Sequence, residues 1–142
     1  IFGDSMELSE ALFSLVHTVR INMKHEIKLL TLDLSPMHLK ALKVISFIDH
    51  CTGQKLADFM GRDKAQINRL IKELVSQELI TKVDNEKDKR SQFLVLSAQG
   101  TEIMTMFKKV EKKVFNSMIK DIPATQIEDF VALTQRLKNN LT

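Results

Sequence analysis

Cysteine is almost absent. Cys51 stands alone, which excludes an intrachain disulfide framework and leaves no cysteine cluster for structural zinc. A reducing compartment, and with it a cytoplasmic location, is the expectation. No apolar run approaches the roughly 20 residues that a bilayer-spanning helix requires, and the start of the sequence lacks the basic segment, apolar core and cleavage site of a signal peptide. No membrane role is expected. Ile1 to Ser5 precede Met6 and read as an added remnant without functional weight. Missing too are a phosphate-binding glycine loop, an HExxH metal pair, a G-x-S-x-G nucleophile turn, an internal repeat, a low-complexity tract and a sustained heptad. His17, His25, His38 and His50 have no neighbouring acidic or cysteine cluster, so they read as packing or surface residues. No enzyme activity, catalytic residue, metal or cofactor is expected.

What remains has the balance of an ordinary folded chain. Apolar residues make up 44% and charged residues 27% of the 142 positions, enough for one compact domain with a real core but not comfortably for two. Lys and Arg total 21 against 18 Asp and Glu, a formal charge of +3. That permits a polyanionic partner without demanding one, so any argument for nucleic acid rests on where the cations stand.

From about Ser5 to Leu30, Leu8, Leu12, Leu15, Val16, Val19, Met23, Ile27 and Leu30 recur at spacings of mostly three or four, which predicts one long amphipathic helix. Its apolar stripe exceeds what a small neighbouring domain covers, so part of it is expected to meet a second subunit. Ser35 followed by Pro36 predicts a capped second helix burying Leu39, Leu42, Ile45 and Phe47 or Ile48. Cys51-Thr-Gly interrupts it. A short helix is expected over Gln54–Met60, burying Leu56, Ala57 and either Phe59 or Met60, with Gly61 as its stop.

Asp63 then caps a helix in which Ile67, Leu70, Ile71 and Leu74 form one buried stripe, leaving Lys64, Gln66, Asn68, Arg69 and Lys72 facing outward. Two helices joined by a tight glycine turn, the second displaying long polar side chains, are a helix-turn-helix signature. Leu79–Val83 and Ser91–Leu96 read as strands around the polar turn Asp84–Arg90, a β-hairpin wing that must pack on the helices because a lone hairpin is marginal in water. Ser97-Ala-Gln-Gly starts a further helix through Met118 with five lysines between Lys108 and Lys120. After Pro123, Thr125-x-x-Glu128 resembles a capping box for a last helix carrying Ile127, Phe130, Val131, Leu133 and Leu137.

The predicted fold class is mainly α with a small β-hairpin wing. It divides into an N-terminal dimerisation helix over 6–33, a winged helix-turn-helix DNA-binding domain over 34–97 and C-terminal dimerisation helices over 98–142.

The stretch Leu34 to Gly100 resembles the MarR family of bacterial transcriptional regulators. The resemblance is cumulative: Leu34-Ser-Pro, Leu56-Ala-Asp-Phe-Met-Gly, Asp63-Lys-Ala-Gln-Ile-Asn-Arg-Leu-Ile, Asp88-Lys-Arg and Leu96-Ser-Ala-Gln-Gly. It implies a homodimer whose terminal helices form the dimer module, recognition helices that enter successive major grooves of double-stranded DNA, and a wing arginine, here Arg90 beside Asp88, that approaches the minor groove. It also implies repression and release by a small aromatic or other small-molecule effector, by metals or by oxidation. Two departures stand out. Glu78 occupies the place before the first wing strand where family members usually carry glycine, and Cys51 lies near the end of the second helix, away from the first-helix cysteine of the peroxide-sensing branch. No redox mechanism is carried over.

The expected DNA-binding residues are Lys64, Gln66, Asn68, Arg69, Lys72, Lys89 and Arg90. Gln66 and Asn68 are the expected base readers, because amides pair with adenine edges. Lys64, Arg69 and Lys72 are expected nearer phosphates. Asp88 is expected to orient Arg90 through a charge-assisted hydrogen bond. The rival reading is a winged-helix protein–protein interaction module, which would call for a more apolar helix face than this one.

Overall fold

The computed structural model describes residues 7–142. Ser5 and Met6, where the first helix was expected to begin, lie outside the described residues. The order of elements is α1 (Leu8–Lys28), α2 (Pro36–Phe47), α3 (Gly53–Met60), α4 (Lys64–Ser76), β1 (Ile80–Val83), β2 (Phe93–Leu96), α5 (Ala98–Met118) and α6 (Ala124–Asn139). This is the mainly helical fold with a hairpin wing that the periodicity predicts, and no helix among the described residues is long and apolar enough to cross a membrane.

The core lies where α2, α3, α4, the hairpin and the start of α5 converge. Leu39, Leu42, Leu56, Ile67, Leu74 and Ile80 are its most deeply buried large side chains. Capping chemistry sets the helix starts. The Ser35 hydroxyl accepts from the His38 backbone N–H at the head of α2, where Pro36 occupies the first turn without sacrificing a donor. Thr52 caps α3 at the Lys55 N–H, and Asp63 caps α4 at the Gln66 N–H, 2.8 Å away. Between α3 and α4, Gly61 takes φ 63, a left-handed conformation that costs glycine little and closes the tight turn.

The two strands pair antiparallel, Ile80 opposite Leu96 and Lys82 opposite Leu94. On its other edge β2 meets the segment before α3: the Leu94 N–H donates to the Cys51 carbonyl at 2.7 Å, and Thr52 bridges Phe93. The wing is thus sewn to the helical body at its base. Beyond the hairpin, the Ser97 hydroxyl caps α5 at Gly100 and donates to the Glu78 carbonyl at 2.6 Å, while the Ser97 N–H reaches the Leu79 carbonyl. Gly100 presses against that same Leu79 carbonyl, and a side-chain carbon there would overlap the oxygen. The head of α5 is therefore clamped to the turn that ends the α4 segment.

Several expectations need correction. Of the two open alternatives, Phe47 and Phe59 are 54% and 56% exposed and stack edge to face at 5.3 Å on the surface, so Ile48, partly buried against the core, and the buried Met60 are the inward members. No capping box forms at Thr125. The Pro123 carbonyl already accepts from Gln126 and Ile127, so α6 begins at Ala124 and Thr125 falls inside its first turn. The strands are also shorter than expected, because Leu79 belongs to the turn and Ser91 and Gln92 to the wing loop. The predicted stripe of α1 exists, yet neither α1 nor α6 buries a single residue within the described chain.

Candidate nucleic-acid interface

The chemistry of the surface follows from the phase of α4. Ile67, Leu70, Ile71 and Leu74 are buried, which anchors one side of the helix with apolar area worth about 1.5 to 3 kcal/mol per large side chain. The opposite side is therefore fixed in space. Lys64, Asn68 and Lys72 recur every four residues along it, and with Gln66 and Arg69 all are exposed.

Lys64, Asn68, Arg69 and Lys72 form one wall of an open cleft of about 850 Å³, and Arg90 of the wing stands on the other. Five residues of the expected set thus share one concavity. Gln66 lies on another flank of α4, in a smaller hollow of about 210 Å³ shared with Ser35, His38, Arg62, Arg69 and Glu73. Lys89 is exposed on the wing and lines neither concavity.

The wing tip is shaped by local hydrogen bonds. Asp88 Oδ1 accepts from the Arg90 backbone N–H at 3.0 Å, and Asn85 Oδ1 accepts from the Lys87 N–H at 3.0 Å. The Asp88 carboxylate thus fixes the chain direction at Arg90 through the main chain, and no ion pair joins the two side chains among the described residues. Such short polar side chains bonding two residues ahead are how loops of this kind hold a shape without a core.

Sequence reasoning passed over Lys82, Gln54 and Gln92, which also line the cleft. For Lys82 the signal was present. Strand alternation places it on the same face as the buried Ile80, hence on the side of the hairpin that meets α4. Gln92 donates to Asp84 Oδ1 at 2.9 Å, tying the outer ends of the two strands together.

Cys51 is buried, and burial pushes its thiol above the ordinary value, an effect that nearby Lys55 partly offsets. Among the described residues no group of three or more His, Cys, Asp or Glu could hold a metal ion.

Residues 32–91 match the model of the MarR family. This segment, the winged helix-turn-helix, is similar to the MarR family. The MarR architecture extends beyond it: wild-type MarR from E. coli in its apo form superposes with a TM-score of 0.78 at 16% identity, covering 95% of this chain and 98% of that one. BpsR of Bordetella bronchiseptica, in a structure described as the mechanism for regulation of its DNA binding by 6-hydroxynicotinic acid, gives a TM-score of 0.75 at 13% identity with 97% of each chain covered. Among curated proteins, an uncharacterized HTH-type transcriptional regulator of Bacillus subtilis, YdgJ, is 22% identical over 108 residues, spanning 76% of this chain and 66% of YdgJ. The likeness to these solved structures is one of fold, and it runs over nearly the whole chain.

Proposed function

We propose that the protein is a homodimeric repressor that binds a pseudo-palindromic DNA operator, with α4 as its reading helix. The observation that carries this reading is the fixed phase of α4: four buried aliphatic residues hold it, and the outward stripe offers amides and cations where base edges and phosphates would lie. A protein-docking face would be expected to place aromatic or aliphatic anchors there, so the polar stripe favours DNA over the interaction-module reading.

In this reading residues 6–33 and 98–142 supply the dimer module and 34–97 the reading head. Support comes from apolar side chains without partners: Leu12 and Val16 on α1, Phe115 and Met118 on α5, Phe130 and Val131 on α6 are exposed in the single chain. Helices bearing such faces bury them against the same helices of a second copy. A symmetric pair must hold its reading helices roughly 34 to 36 Å apart to enter successive major grooves on one face of DNA. Gln66 and Asn68 read base edges, Lys64, Arg69 and Lys72 hold phosphates, and Arg90 with Lys89 approaches the minor groove, Asp88 shaping the turn that presents it.

Regulation by a small aromatic or other small-molecule effector fits the same frame. The effector would sit where the reading head meets the terminal helices and must favour the geometry with low DNA affinity, since equal affinity for both geometries shifts nothing. Regulation of BpsR by 6-hydroxynicotinic acid makes heteroaromatic acids a first class to try.

Selection of bound fragments from random duplex DNA, followed by titration of single-residue variants at several salt concentrations, tests the reading. Asn68→Ala should relax preference at one operator position at a cost of about 1 to 3 kcal/mol. Lys72→Ala should weaken binding to all sequences. An unselected pool, or affinity indifferent to both substitutions, would overturn the assignment of α4.

A further inference from the structure

The cleft between α4 and the wing is cationic throughout. Lys64, Arg69 and Lys72 line it from the helix, Lys82 from β1 and Arg90 from the wing loop, and no aspartate or glutamate is part of its lining. Asp84 directly follows β1, and its carboxylate accepts a hydrogen bond from Gln92. Across the whole chain the acids nearly balance the bases, 18 against 21, so a concavity bordered by five cations and no acid departs sharply from the average surface.

Lys82 is the member that ties the two walls together. It lies on the strand face shared with Ile80, opposite the buried Leu94, so its position is set by the paired strands and not by the wing loop. The cleft is open, and its cationic lining does not resemble the enclosed, mainly apolar sites that hold small molecules. A continuous polyanion matches it better. In a duplex read by a helix in the major groove and approached by a wing at the minor groove, one sugar-phosphate strand separates the two grooves.

We propose that this strand of DNA backbone lies in the cleft, and that the Lys82 ammonium is a phosphate contact at the junction of reading helix and wing. The assignment rests on the DNA-binding reading above. It adds a residue that grips backbone without reading sequence, in a position where it fixes how far α4 enters the groove.

The experiment compares wild type, Lys82→Gln, Lys82→Arg and Asn68→Ala on the selected duplex and on an unrelated duplex, each over a series of salt concentrations, with ethylation interference on the selected duplex. Lys82→Gln should weaken binding to both duplexes by the same factor, lower the slope of log affinity against log salt by about 1.8 per dimer, about 0.9 for each of the two lost contacts, and remove interference at one phosphate in each half-site. Lys82→Arg should restore slope and interference. Asn68→Ala should instead narrow the gap between the two duplexes and leave the slope unchanged. If Lys82→Gln leaves slope and interference as in wild type while Asn68→Ala loses selectivity, the Lys82 assignment is overturned and the reading of α4 stands. If wild type itself shows no salt-dependent duplex binding, the DNA reading falls with it.

Discussion

His38 joins the first turn of α2 to α4: its Nε2 lies 2.6 Å from Glu73 Oε2. The ring's other nitrogen settles which atom carries the proton. Nδ1 accepts from the Ser35 backbone N–H at 3.1 Å and lies 2.7 Å from the Ser35 hydroxyl, so in the neutral ring the hydrogen is on Nε2 and is donated to Glu73. One imidazole thereby completes a capping box and ties the start of α2 to α4.

Glu73→Ala removes only the tie and should cost about 0.5 to 1.5 kcal/mol in urea unfolding, while His38→Ala also loses the capping partner and should cost more. Because both changes break one hydrogen bond, the double variant should be less destabilised than the sum of the singles. Strict additivity would show that the pair contributes nothing jointly.

Gly100 is required by contact. Any side chain there meets the Leu79 carbonyl, which is also held by the Ser97 N–H. Gly100→Ala should therefore destabilise by about 1 to 3 kcal/mol, the usual cost of overpacking, read as a fall in melting temperature. An unchanged melting temperature would mean that the head of α5 can shift freely away from the turn.

Glu78 sits at φ 61, and so does Asp121. A side chain in the left-handed region costs roughly 1 to 2 kcal/mol, and glycine avoids most of that while losing about 0.5 to 1 kcal/mol to chain entropy. Glu78→Gly should thus be neutral to slightly stabilising. A clear loss of stability would mean that the glutamate side chain contributes something its exposed position does not reveal.

The buried Cys51 thiol titrates above its ordinary value. Such a group stays neutral in the folded chain at pH values where the unfolded chain already ionises. Its contribution is fully present below the unfolded value, about 8.5 for a free thiol, and is lost as pH climbs from there through the higher folded value. Cys51→Ser should accordingly flatten the alkaline fall in stability. In the native protein, alkylation at neutral pH should be slow and should become fast on unfolding. Rapid native labelling would contradict the burial.

What could be read from the sequence was local. Ser35, Asp63 and Gly61 mark helix ends because a cap or a left-handed turn is decided by a few neighbouring atoms, and the stripe Ile67, Leu70, Ile71, Leu74 gave the outward face of α4 by subtraction. Harder were features set by the fold as a whole. Phe47 and Phe59 fit an apolar pattern yet pair with each other outside the core, because α2 and α3 had already filled it with smaller aliphatics. Thr125 had the right spacing for a cap and lost the position to the Pro123 carbonyl. Strand alternation already placed Lys82 on the face of Ile80, but the cleft it lines exists only once the hairpin has folded against α4.

The most direct test of the central claim is a hydroxyl-radical footprint of the purified protein on its selected duplex. Two symmetric protected tracts, their centres about one helical turn or 10 to 10.5 base pairs apart, with base preference inside each half-site relaxed by Asn68→Ala, are the predicted result. A single unsymmetrical tract, or protection that persists unaltered when Gln66, Asn68 and Lys72 are all replaced by alanine, would contradict it.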